Sequence, residues 1–311
     1  MLPLPLERLL VRRTHGRLLD SVQRAWIWLI ARHFRPTHVY VSHPKLFVLL
    51  PAEVKERTMI VYDCMDDAVA MAAPSSRLVI LDYERELIEA AERVIVSSSA
   101  LMSRLESRFG DAVTAKARLV QNGVHLPATG LAQGRRVSGK RHPVTVGYAG
   151  TVAAWFDFES VLRALDACPD VRMRIIGPRT GSEPTHDCID YREAVSHEEL
   201  RAHLVDCDAL IMPFKRDEIV TAVNPVKLYE YLTYGVPIIA TRYEEIEDEF
   251  GAFIEMYDTQ SELTELFCKL IDGQLTSRGE PSAIERFVEA STWTERWQAV
   301  ERASDRSVLI T

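Results

Sequence analysis

Short runs of β-branched and aromatic residues alternate with amphipathic stretches along most of the chain. HVYVS from His38 and MIVYD from Met59 have the compact apolar texture of buried strands. SRLVILDYERELIEAA then carries apolar residues at helical spacing. RVIVSSS reads as a strand, SALMSRLESRF as a helix, and ARLVQ as a short strand ending at the turn pair Asn122-Gly123. Periodicity disappears over residues 127–143, PATGLAQGRRVSGKRHP, and restarts behind them. VTVGYAG is a strand running into a Gly150-Thr151 turn. It is followed by the helix FESVLRALDACP, the strand VRMRIIGP, the helix SHEELRAHLVD and the strand DALIMPF. A further helix, the strand VPIIAT, the helix SELTELFCKLIDG and an amphipathic tail from Ser291 complete the series. This order predicts an α/β fold of two doubly wound, Rossmann-like halves. The expected division is 1–130, a linker at 131–142, a second half at 143–290 and a closing helix at 291–311. Ligands of such sheets bind beyond the carboxyl ends of the strands, and two halves would make that crevice an interdomain cleft.

Composition narrows the function classes. The formal charge of −8 argues against a nucleic-acid partner, because phosphate neutralisation needs a basic surface. No run approaches the roughly 20 apolar residues of a membrane span, and the start lacks the layout of a secretory signal. The 5 cysteines are scattered without a C-x-x-C pair, which suits buried thiols in a reducing cytoplasm. Residues 1–36 are different: Arg8, Arg12, Arg13, Arg17, Arg24, Arg32 and Arg35 face only Glu7 and Asp20, around the apolar stretch AWIWLIARHF. A basic amphipathic helix of this kind can lie on an anionic membrane surface, and it equally fits a core helix with a solvated basic face.

The chemistry concentrates in NPVKLYEYLTYGVPIIAT. Asn224 is a favoured N-cap residue, Pro225 suits the first helical position, and Gly235 with Pro237 ends the helix. A helix opening there, behind the strand DALIMPF, would turn its free amides toward an anion. Lys227 in the first turn makes best sense with something negative in front of it. Glu230, three residues on, shares its face and can accept hydrogen bonds from a diol such as a ribose. The competing reading is a plain surface pair worth a few tenths of a kcal/mol.

PFKRDEIVTAVNPVKLYEYLTYGVPIIAT, with VGYAGTVAAWFDFESVL and the Asn122-Gly123-Val124 turn, resembles the nucleotide-sugar half of GT-B glycosyltransferases. The similarity is to the retaining, family-four-like enzymes of bacterial surface-polysaccharide synthesis. It implies a cytoplasmic enzyme at the inner membrane face that moves a sugar from a nucleotide donor to a lipid-linked or polysaccharide acceptor. It implies that Glu230 binds the ribose, that Asn224 and the following amides meet the diphosphate, and that Gly150 and Thr151 approach the phosphates or sugar. Asp66 and Asp67, ending the strand VYDCMDD, become the candidates for contacting the transferred sugar, and no essential metal is expected. Three departures stand out. Ala222 occupies the position of a sugar-contacting glutamate of the family. TVAAWFDFES lacks the cations that clamp the diphosphate, so Lys215 and Lys227, with Arg216 after them, are expected to supply that charge. The first half is also abbreviated. A non-catalytic donor-binding or scaffold protein, or a sugar-nucleotide epimerase of the same fold, therefore remain alternatives. Asp206-Cys207-Asp208 spells D-x-D but joins a helix end to a strand start, and EEIEDEF reads as the solvated start of a helix.

Overall fold

The computed structural model describes residues 17–128, 130–132 and 143–304. Positions 1–16 of the basic segment and most of the expected linker therefore lie outside the described residues. The chain divides into two compact units. The first holds residues up to 96, then 102–119, and the last residues from 303; the second holds 97–101 and 120–302. The division thus falls at 119/120 rather than at 130. The turn at Asn122-Gly123 belongs to the second unit because it is bonded into it, as described below.

The first unit opens with helix α1 (Arg17–Phe34) and strand β1 (His38–Val41), followed by α2 (Pro44–Val48) and α3 (Ala52–Arg57). Strand β2 (Met59–Cys64) leads through a 3-10 turn into α4 (Arg77–Ala90), β3 (Arg93–Val96), α5 (Ser99–Phe109, its first turn belonging to the second unit), α6 (Asp111–Thr114) and β4 (Ala117–Leu119). The four strands are all parallel and stand in chain order, β1-β2-β3-β4. Central β2 and β3 are buried nearly throughout, as continuous β-branched runs require. On α1, Val22, Trp26 and Leu29 recur at helical spacing and are each more than half exposed. Arg24 and Arg32 are exposed on the same helix.

The second unit continues with β5 (Val144–Ala149), α7 (Phe158–Ala167), β6 (Val171–Ile176), β7 (Ile189–Arg192), α8 (His197–Leu204), β8 (Ala209–Met212) and α9 (Val226–Leu232). Then come β9 (Ile238–Thr241), α10 (Glu244–Phe250), β10 (Glu255–Tyr257), α11 (Gln260–Ile271), α12 (Pro281–Ala290) and α13 (Trp293–Ser304). Its six strands are parallel in the order β10-β9-β8-β5-β6-β7. The winding runs outward through β6 and β7, then reverses through β8, β9 and β10. The crevice of a doubly wound sheet therefore falls between the ends of β5 and β8.

Alternation along each strand splits the core between two faces. Val146, Tyr148, Met173, Ile175, Ile211 and Ile239 meet Val161, Leu165, Phe267 and Leu270 of α7 and α11. Ala149, Ile176, Leu210, Met212 and Ala240 meet Leu228, Tyr231, Ile246 and Val288 from α9, α10 and α12. The side chain of Asp157 caps α7 by accepting from Ser160 N–H, and Ser196 with Glu199 forms a capping box on α8. Helix α10, the EEIEDEF segment, is less solvated than its composition suggests. Glu245 is buried, and its carboxylate accepts from the Ser99 and Ala100 amides.

Candidate functional site

Strand β5 pairs with β6 over all six residues but with β8 only at Val146 and Gly147. The chain leaves β5 through Gly150, whose φ of 142° favours a residue without a side chain. Gly150 N–H donates to Ile176 O at 2.9 Å, and Tyr148 Oη donates to Thr151 O at 2.9 Å. Space demands glycine at Gly177, where a Cβ would collide with the Gly150 carbonyl, whereas a Cβ at Gly150 would meet the movable end of Lys227, 2.5 Å from Nζ. The expected pair of Gly150 and Lys227 is therefore brought into contact at the switch point, with Lys227 Nζ 5.9 Å from the centre of the Tyr148 ring.

The seven-residue helix α9 carries Lys227 and Glu230. Burial lowers the Lys227 pKa, with Glu230 pulling the other way, and its ammonium makes no ion pair among the described residues. Burial raises the Glu230 pKa, against the attraction of His197, Lys227 and His125. A cation and a carboxylate are both held partly dry here, three residues apart, without contact between them. Such perturbed neighbours are a mark of functional sites.

The N-terminus of α9 corrects the sequence expectation. Pro225 is the N-cap, no side chain caps the helix, and the first helical residue is Val226. Asn224 is 1% exposed and fully engaged within the fold. Its Oδ1 accepts from Asn122 N–H at 3.0 Å and from Tyr229 Oη at 3.3 Å, and its Nδ2 donates to Glu245. Its backbone carbonyl accepts from Asn122 Nδ2 at 2.7 Å. Asn224 thus anchors α9 to the Asn122 turn and offers no side-chain group to a ligand.

Glu230 lines a cavity of about 410 Å³, within the roughly 300–1,000 Å³ of small-molecule sites. Its walls are His125 and Leu126 after the Asn122 turn, His197 and Arg201 of α8, and Tyr231 and Tyr234 of α9 and its exit. The two imidazoles approach edge to face at 6.5 Å, and the Arg201 guanidinium lies 5.2 Å from the centre of the Tyr234 ring. None of these four residues stands in the motif that carries Lys227 and Glu230 except Tyr234, and only the fold gathers them at one wall. The adjacency of His125 to the Asn122 turn, and of His197 to the Ser196 cap, were the available signals.

Other candidates fall out differently. Lys215 is exposed on the loop after β8, held there by its N–H to Trp155 O, while Arg216 is occupied by Asp258. Asp66 is exposed. Asp67 is buried and accepts from Arg108 through both oxygens at 2.7 and 2.6 Å, from Arg104 at 3.3 Å, and from Ala70 N–H. Burial alone would raise its pKa, but these donors outweigh it and hold the carboxyl low. Asp67 is a structural anchor, which corrects its expected role as a sugar contact. Ala222 is buried, its carbonyl accepting from Ser98 Oγ at 2.6 Å. In the D-x-D stretch, Asp206 pairs with Arg174 and Asp208 accepts from Thr145 N–H. Among the described residues, no group of three or more His, Cys, Asp or Glu is placed so that it could hold a metal ion.

Comparison with known proteins agrees with the topology. No family model matches the chain. TuaH of Bacillus subtilis strain 168, provisionally described as a teichuronic acid biosynthesis glycosyltransferase, is 26% identical over 206 residues, 58% of this chain and 50% of that protein. The chain therefore spans about half the length of the curated relative it matches. Anabaena HepE, solved with UDP and glucose, superposes with a TM-score of 0.68 at 16% identity over 96% of this chain and 83% of that one. Sucrose-phosphate synthase from Thermosynechococcus elongatus gives 0.70 at 11% identity over 96% and 81%. With its parallel sheets and the reversal beside Gly150, the chain has the GT-B fold of nucleotide-sugar glycosyltransferases.

Proposed function

We propose that the chain is a glycosyltransferase that takes a sugar from a nucleotide donor, with retention, and passes it to a lipid-linked or polysaccharide acceptor in cell-surface polysaccharide synthesis. The observation that carries this reading is the placement of Lys227 and Glu230. One is a partly dry ammonium against the Gly150 turn; the other is a partly dry carboxylate in the adjoining cavity. In this reading the nucleoside occupies the cavity, Glu230 accepts from the ribose hydroxyls, and the diphosphate lies over Gly150 and Thr151 against Lys227. As the bond to the leaving diphosphate breaks, negative charge grows on phosphate. Lys227, the first-turn amides of α9 and Lys215 would stabilise it electrostatically. The exposed Val22, Trp26 and Leu29 of α1 beside Arg24 and Arg32 suit contact with an anionic membrane surface, where such an acceptor would be met. Among the described residues, no helix is long and apolar enough to cross a membrane.

UDP is the first probe, because HepE was solved with it. Calorimetric titration of UDP, followed by release of UDP from UDP-sugars with and without acceptor extracts, tests the reading; absence of nucleotide binding would overturn it. One observation favours a second reading, donor binding without turnover. Asp67, one of two carboxylates expected at the transferred sugar, is spent on Arg104 and Arg108. Binding of UDP-sugars with no transfer or hydrolysis would select that alternative.

A further inference from the structure

Ala149, the last residue of β5, is poorly served by its sheet. Its β6 edge is paired at Ile176, but pairing with β8 stops at Gly147. The N–H and C=O of a strand residue point to one side, so those of Ala149 are left facing a missing strand in a buried place. Tyr231 fills that gap. Its hydroxyl, on a residue 1% exposed, accepts from Ala149 N–H at 2.9 Å and lies 3.4 Å from Ala149 O, to which it donates. Burial pushes the phenol far above its ordinary pKa, so it stays protonated and able to do both.

The two ends of this link are informative. Ala149 immediately precedes Gly150, whose turn packs on Lys227, and Tyr231 immediately follows Glu230 in the same cavity wall. We propose that the Tyr231 hydroxyl is a positioning group that sets the Gly150 turn against α9, holding the diphosphate-facing and ribose-facing parts of the donor site in register. The proposal rests on the donor-site reading given above. The hydroxyl touches no ligand itself; it acts through the backbone of Ala149. A phenylalanine would keep the ring and its packing but leave a buried N–H and C=O unpaired, freeing the turn to shift.

The test is Tyr231→Phe, titrated with UDP and, at millimolar concentration, with uridine. Uridine reports on the Glu230 cavity and lacks the diphosphate that would meet the Gly150 turn. The expected result is a loss of about tenfold in UDP affinity, the scale of one lost buried hydrogen bond, with uridine affinity unchanged. Equal loss for both ligands, or no loss for either, overturns the positioning role. A wild-type protein that binds neither UDP nor any other nucleoside diphosphate overturns the donor-site reading, and the proposal with it. Amide hydrogen exchange on the wild type makes the test independent of the variant's folding. Protection of the Ala149 amide is expected, and exchange at the rate of an open loop would refute the link.

Discussion

Replacing Lys227 with methionine separates two roles of a buried cation by the sign of their effects. The substitution keeps the stem that packs against Gly150 and removes only the charge. In the free protein that charge is a cost, because burial lowers its pKa and Glu230 only partly compensates. The charged form is penalised at every pH below the folded pKa, and the penalty fades as pH rises through it. Lys227→Met should therefore leave the ligand-free protein as stable as the wild type or slightly more so. With UDP the direction reverses. A unit charge pair at about 4 Å is worth about 4 kcal/mol at an effective dielectric of about 20. Hydrogen bonds to charged groups keep about 1.5–3 kcal/mol of such energy after desolvation. A net 2 kcal/mol corresponds to a roughly 30-fold loss of affinity. Thermal melts without ligand and calorimetry with UDP and uridine give both halves. A lower melting temperature with undiminished UDP affinity would refute the reasoning, since it would make Lys227 a structural residue.

Nucleotide affinity should fall at both ends of the pH scale. Glu230 must be ionised to accept from hydroxyls and its pKa is raised, so the acid limb should begin above the ordinary glutamate value; Glu230→Gln should lower affinity and erase that limb. The alkaline limb should begin below the ordinary lysine value as Lys227 deprotonates, and isothermal titrations across pH locate both. Asp67→Ala removes the buried carboxylate shared by Arg104 and Arg108 and should cost about 3 kcal/mol by urea unfolding, whereas Asp66→Ala should stay within about 0.5 kcal/mol. The Asp67 contribution is present above the ordinary aspartate pKa and is lost as pH falls through its lower folded value, so acid unfolding should flatten in the variant. Gly150→Ala strains a backbone at φ 142° and pushes the Lys227 ammonium aside, and should weaken UDP binding at least about tenfold while sparing uridine.

The helices and strands were readable where periodicity is strong, as in the buried runs of β2, β3, β5 and β8. Strand β7 was missed because IDYR is a polar edge with no fully buried residue, and β10 because it has only 3 residues. The Gly150 turn and the shared helix of Lys227 and Glu230 were legible because a glycine turn and a short helix are local features. The roles of Asn224 and Asp67 were not. Their partners lie 102 residues away at Asn122 and 41 away at Arg108, and local patterns favour an N-cap or a free carboxylate at such positions. Long-range hydrogen bonds decided both against the local preference.

The walls of the Glu230 cavity are drawn from near residues 125, 200 and 230, stretches brought together only by a parallel sheet with crossovers. Topologies of this kind close their loops late and fold slowly. Nucleoside capture should consequently emerge among the last events of maturation, after the crossovers have closed. A ligand added during refolding would then trap finished molecules without hastening their formation.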